Sequence, residues 1–342
     1  MKISVLGGGP VGQTYCALLL EAGHHVRLYS QSGRAEHETR FFGAINMTKT
    51  ITPVRTLPEA VAFADALLIA RQAPGLQPLL DAIAPLLKPS QSVIFSAELS
   101  FASFHLARKL RVAGSEARLI SWSTTAATAH RRPEGIRVGT LRGTVDMASS
   151  GNLSPLDAMA LCRALFGDVF RDVGSPLAIG LSNLNPEVHL ANVLGNLTRI
   201  ELAEDWDNYG GITPAVGRII EELDAERRGL AARFGLDVRS VLQHFQLTFP
   251  DIEIGNVHET TQRIAARGRG PKGPVSTDTR YITEDLPYGI VPLCELGRRR
   301  NIPLPLHEAG VRLLSVGLGA DFTTENGMIG EALDEICGDV SD

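Results

Sequence analysis

The chain opens on an apolar run, Lys2–Leu6, that reads as a buried strand. Glycines interrupt it, Val11–Ala22 then carries helical spacing up to Gly23, and His25–Tyr29 is apolar again. The alternation continues with strands at Ala66–Ala70, Ser92–Ser96, 117–125 and Arg137–Val145, and helices at 76–88 and 101–110. Strands alternating with helices predict an α/β domain, a Rossmann-type doubly wound parallel sheet, over residues 1–175. After Gly174-Ser175-Pro176 the strand pattern fades. Helices are predicted at 186–204, 214–234 and 237–249, with a long loop at 268–279 and two more helices flanking a Pro-rich turn. Residues 176–342 therefore read as an all-α C-terminal domain.

One of these helices has an unusual face. In "SNLNPEVHLANVLGN", residues 182–196, Pro186 suits the first helical position and Asn185 the N-cap. Asn185, His189, Asn192 and Asn196 then share one stripe, opposite Leu190, Leu194 and Leu197. A polar but uncharged stripe suits a cleft wall, and Asn185 and Asn196 are candidates to touch substrate. A histidine that only hydrogen-bonds within the fold is the plainer alternative.

Composition narrows the classes. Charged residues are 21% and the net charge is −5, so no basic surface points to nucleic acid. The four cysteines, Cys16, Cys162, Cys294 and Cys337, lie far apart without a C-x-x-C. They favour reduced thiols in a cytoplasmic protein over disulfides, and no metal site is expected. Residues 3–20 lack charge, but Gly7-Gly8-Gly9-Pro10 breaks any signal or membrane helix, so no membrane association is expected.

The glycine cluster is chemically informative. Gly7, Gly9 and Gly12 form G-x-G-x-x-G between strand and helix. In that setting the first glycine allows the turn, the second admits a pyrophosphate and the third lets helix and strand pack. Gly7, Gly9, Pro10, Val11 and Gly12 are thus the expected phosphate-binding residues, with the helix N-terminus facing the anion. An NAD-binding unit has an acid about 20 residues further on. Here that position is Ser30, and no carboxylate occurs from Val26 to Ala35. Ser30, Ser32 and Arg34 suit a 2′-phosphate, so NADP(H) is expected over NAD(H); Arg34 as an ordinary loop residue stays open. At the strand ends, Arg71 is a further cofactor candidate and Thr124 a substrate candidate. Each is equally able to cap a helix or satisfy a loop.

Several stretches together resemble the octopine/nopaline (opine) dehydrogenase family, which includes the bacterial N-(1-carboxyethyl)amino acid dehydrogenases. They are "LSNLNPEVHLANVLGN" (181–196), "GGITPAVGRIIEELDAERRGLAARFGL" (210–236), "TRYITEDLPYGIVPLCELG" (279–297) and "IPLPLHEAGVRLLS" (302–315). The resemblance implies condensation of an α-keto acid with the amino group of an amino acid or related amine, then reduction of the imine by NAD(P)H. It also implies that Asn183, Asn185 and His189 match the family's N-x-N-x-x-x-H, and that Asp285, in R-Y-x-x-E-D, is the histidine's partner. The two are expected to meet across the cleft between the domains. Leu190 stands where the family has proline, and "RGPKGPVSTDTRY" replaces its aromatic-rich segment.

Histidine suits proton transfer near pH 7, and a neighbouring carboxylate fixes its tautomer. Arg280 suits a substrate carboxylate; a salt bridge to Glu284 or Asp285 is an equal alternative. Two other functions compete. One is a ketopantoate-reductase-like 2-keto acid reductase, which uses a lysine that 182–196 and 279–297 lack. The other is a non-catalytic NADP-binding regulator. Small-molecule substrates are the expected partners, with a homodimer left open.

Overall fold

The computed structural model describes residues 1–30, 37–116, 118–268 and 270–338. The chain forms two compact units: Met1–Gly180 joined by the stretch from Met328, and Leu181–Gly327.

In the first unit an eight-stranded sheet runs, in spatial order, Phe170–Asp172, Val145–Gly151, Arg118–Trp122, Ser92–Phe95, Ala66–Ile69, Lys2–Leu6, His25–Tyr29 and Pro53–Val54. From Arg118–Trp122 to Pro53–Val54 every pairing is parallel. The strands Ala66–Ile69 and Ser92–Phe95 are buried at every position, as a sheet covered on both faces requires. Two features depart from the sequence reading. Val145–Gly151 pairs antiparallel with Arg118–Trp122. The segment read as one strand at Arg137–Val145 is divided: Gly135–Leu141 belongs to a separate four-stranded sheet with Ala127–Arg132, His37–Gly43 and Met47–Ile51. The break falls at Arg142-Gly143-Thr144, where the chain leaves one sheet for the other.

The unit is completed by the helix Ile329–Cys337, which packs on the helix Ala102–Val112. The fully buried His105 ring lies between Asp81 (2.9 Å) and Glu331 (3.2 Å). These three could share a cation, but the Lys109 ammonium already bridges the two carboxylates, 2.8 Å from Glu331 and 3.5 Å from Asp81.

The second unit is helical: Asn185–Glu201, Pro214–Arg233, Val241–Thr248, Val257–Ala265, Arg280–Thr283, Val291–Arg299 and Pro305–Leu318. Thr213 caps Pro214–Arg233 through the Val216 N–H, and Ser240 and Asn256 form capping boxes with Gln243 and Glu259. Its core contains a buried ionic cluster. The guanidinium of Arg227, wholly inaccessible, donates to Asp224 and to the carbonyls of Leu181 and Arg239, with Glu187 at 3.7 Å. Glu187 in turn lies 3.8 Å from His307 Nε2, and His307 Nδ1 is 2.7 Å from Glu226. No described helix is long and apolar enough to cross a membrane.

Candidate active site

The glycine-rich turn has a definite geometry. Gly7 has φ +140°, and a Cβ there would run into the Ala70 carbonyl oxygen. A Cβ on Gly12 would strike the Gly7 oxygen, so the helix Pro10–Glu21 sits directly on the turn. Gly9, by contrast, has nothing within 4 Å of its Cβ position. It is the N-cap of that helix, without a side-chain cap, and Pro10 follows in the first turn. Uncapped N–H groups beside open space fit a pyrophosphate. Ser30 follows the strand His25–Tyr29, and its hydroxyl lies against the Gly8 Cα. Ser32 and Arg34 fall outside the described residues. Arg71, beyond Ala66–Ile69, folds its guanidinium over Gly75. Other strand-end polar groups serve the loop: Glu98 accepts from the Ser103 N–H (2.9 Å) and the Ser121 hydroxyl (2.7 Å), and burial pushes its carboxyl up. Thr124 is half-buried, and its hydroxyl makes no hydrogen bond among the described residues.

In the helical unit, His189 Nδ1 lies 2.7 Å from Asp285 Oδ2. Both groups belong to this one unit, so they do not meet across an interdomain cleft. The segment after Thr279 folds back along the Asn185–Glu201 helix and carries Asp285 to the histidine. Two local features bring it close. Leu286–Ile290 is a turn of π-helix, a wider winding in which Pro287 has no N–H to offer. A Cβ on Gly289 would overlap the Pro186 ring, so only glycine lets this turn touch the first turn of the His189 helix.

Asp285 is 2% exposed and His189 12%. The Tyr281 ring lies flat on the imidazole, with centroids 3.5 Å apart and planes 9° apart. Its phenol is pushed up to about 12, chiefly by burial, with Asp285 and Tyr209 adding and Arg280 opposing. Nδ1 is held and one ring face is covered, while Nε2 has no hydrogen-bond partner among the described residues. Arg280 is largely exposed, 3.3 Å from Glu284 and 4.0 Å from Asp285.

The asparagines divide. The helix begins at Asn185 with Leu184 as N-cap, one residue earlier than the sequence suggested. The capping oxygen comes from Asn183, which accepts from the Asn185 N–H (3.2 Å). Asn185 itself is exposed. Asn192 and Asn196 are not a cleft wall. Asn192 donates to the carbonyl and side-chain oxygens of Asn208 (3.0 and 2.9 Å). Asn196 donates to Asn192 and to the Gly211 carbonyl, and accepts from Arg199. The ladder ties down the 203–213 loop at the Asn208 and Gly211 carbonyls. The helix kinks at Asn196 (φ −128°, ψ 16°).

Sequence reasoning overlooked Tyr281 and Glu187. Tyr281 and Asp285 are four residues apart, so on a helical turn they share a face; that spacing is the signal. A separate concavity in this unit, lined by Cys294, Arg298, Glu308 and Arg312, contains none of the His189 cluster.

Residues 172–318 match the family model for the NAD/NADP octopine/nopaline dehydrogenase alpha-helical domain, and residues 3–143 that for ketopantoate reductase PanE/ApbA. An opine dehydrogenase of Arthrobacter sp. (strain 1C) is 29% identical over 94% of this chain and 92% of its own length. Octopine dehydrogenase solved with NADH and L-arginine superposes with TM-score 0.80 at 18% identity, covering 97% of this chain and 94% of that one. Yersinopine dehydrogenase with NADP+ bound gives 0.74 at 15% identity, covering 97% and 98%. The structural likenesses show a shared fold. The helical-domain match and the relative that runs nearly end to end make the chain similar to the octopine/nopaline (opine) dehydrogenases, NAD(P)-dependent oxidoreductases acting on CH–NH bonds.

Proposed function

We propose that the chain is an opine dehydrogenase in which His189 and Asp285 are the acid–base pair, acting on a carbinolamine formed from an α-keto acid and an amine. The observation that carries the reading is the held Nδ1 with the unpartnered Nε2 edge. Asp285 keeps a proton on Nδ1 and stabilises the imidazolium. Nε2 gives its proton to the departing hydroxyl, which leaves as water, and the remaining iminium carbon is open to reduction. The bound nicotinamide supplies the hydride. The secondary amine forms, and His189 regains its proton from solvent. Arg280, paired on one side with Glu284, has a planar fork to offer the keto acid carboxylate.

For the cofactor, we propose NADPH over NADH, because Ser30 stands where an acid would bind a ribose 2′-hydroxyl and repel a 2′-phosphate. The test is oxidation of NADPH and of NADH against a matrix of α-keto acids and amines, with product mass measured. The expected result is turnover only when an amine is present, a secondary-amine product, and a higher kcat/KM with NADPH. Equal turnover with the keto acid alone would instead identify a plain 2-keto acid reductase. Equal or better use of NADH would remove the cofactor preference.

A further inference from the structure

The imidazole of His189 has two edges and two faces, and the structure accounts for three of the four. Asp285 takes the Nδ1 edge, Tyr281 covers one face, and the Nε2 edge is left for chemistry. With Nδ1 hydrogen-bonded, the remaining freedom of the ring is rotation about Cβ–Cγ, and the parallel ring at 3.5 Å opposes that rotation.

We propose that Tyr281 is a positioning residue for His189: its ring face fixes the imidazole plane so that Nε2 keeps one direction, and it favours the imidazolium formed in each cycle. The inference rests on His189 being the acid–base residue. An imidazolium over an aromatic face is attracted by the ring quadrupole. The other groups around the pair are Asp285 at Nδ1, Arg280 4.0 Å from Asp285, Glu284 bound to Arg280, and Tyr209 beside Tyr281. Arg280 is the one cation among them, and it is largely exposed. The phenol, pushed up to about 12, stays neutral through the working range and brings no competing charge. Its hydroxyl makes no hydrogen bond among the described residues, which assigns the role to the ring rather than to the O–H.

The test compares Tyr281→Phe and Tyr281→Leu in the full-length enzyme, with thermal midpoint and NADPH affinity as controls for folding. Leu removes the ring and Phe keeps it. For Tyr281→Leu, kcat should fall about 10-fold with substrate KM little changed, the scale of a lost desolvated cation–π contact. The alkaline limb of the reductive pH profile should move to lower pH. Tyr281→Phe should restore most of the rate and the position of that limb.

A second readout needs no turnover. With histidine labelled in the ring, the His189 carbon-bound protons should be shifted upfield by ring current in wild type and in Phe. The Nδ1 proton bound to Asp285 should give a sharp downfield signal in both. In Leu the upfield shift should vanish and the Nδ1 signal broaden. Unchanged His189 signals in Leu, or a Phe variant as impaired as Leu, would overturn the proposal. Normal NMR behaviour with no turnover on any keto acid and amine pair would leave the positioning intact and overturn the reaction assigned above.

Discussion

His189 and His307 sit in the same helical unit, and each has Nδ1 2.7 Å from a carboxylate oxygen. They differ at the other nitrogen. The His307 ring is wholly inaccessible, and its Nε2 faces Glu187 at 3.8 Å inside the Arg227 cluster. Among the described residues the His189 Nε2 edge is unclaimed, with a tyrosine across one ring face. A histidine–carboxylate pair is therefore no signature of chemistry by itself. What separates a working imidazole from a clamp is whether its second nitrogen is left to something outside the protein. In His307 Nδ1 is bound to Glu226, and Nε2 is sealed inside the protein, without a hydrogen bond and facing only Glu187.

The most severe way to break the comparison is to remove each ring in turn. His189→Ala should lower turnover by roughly 10²–10⁴-fold, with cofactor affinity and fold intact. Asp285→Asn should lower it in the same sense, since the imidazole loses its tautomer lock. Steady-state kinetics with fluorescence titration of NADPH checks both, and near-normal turnover of His189→Ala would end the assignment.

On the His307 side the loss should be in stability. Arg227→Met takes away the cation buried between Glu187 and Asp224, leaving Asp224 only the half-exposed Arg228 at 3.3 Å, and such a loss costs about 3–5 kcal/mol. Urea unfolding would measure that loss, and a midpoint equal to wild type would show that the cluster contributes nothing. The turnover of the protein that remains folded should fall far less than in His189→Ala.

The smallest effect is also the sharpest test of the clamp. Burial pulls the His307 imidazole down, but Glu187 and Glu226 outweigh it and hold it above its ordinary value of 6.5. Partial burial lifts Glu226, but hydrogen bonds from His307 and from the Leu306 and His307 N–H groups bring it below its ordinary 4.5. The His307 contribution is then fully present below pH 6.5 and lost as pH rises through the raised value. That of Glu226 is present above pH 4.5 and lost as pH falls through the lowered one. Stability from this pair should peak between the two, and His307→Gln should flatten the decline on the alkaline side in urea midpoints taken across pH.

The sequence was legible where one residue type answers one geometric demand. Gly7 and Gly12 are required by close contacts with the Ala70 and Gly7 carbonyls, and the spacing that shows this is local. Apolar periodicity likewise marked most of the helices. It did not tell what a polar stripe faces. Asn192 and Asn196 look the same in sequence whether they line a cleft or hold a loop, because an amide can satisfy either solvent or a stray backbone carbonyl. Nor did it reveal that Gly135–Leu141 and Val145–Gly151 belong to different sheets, since the choice is made by partners far away in sequence. His189 and Asp285, 96 residues apart, were paired by family resemblance; no spacing rule links them. The Tyr281 stack follows only once that pairing is known.

The helix Ile329–Cys337 packs on Ala102–Val112, so a unit begun by the first strand is completed by residues made after the entire helical unit. During synthesis, Leu181–Gly327 leaves the ribosome as an uninterrupted segment able to fold as it emerges. The first unit must wait with the apolar side of Ala102–Val112 uncovered until the last stretch arrives. A ribosome that stalls late in the message would thus release a chain whose helical unit is whole and whose cofactor unit still exposes a sticky seam. Such a product is open to chaperones and proteases.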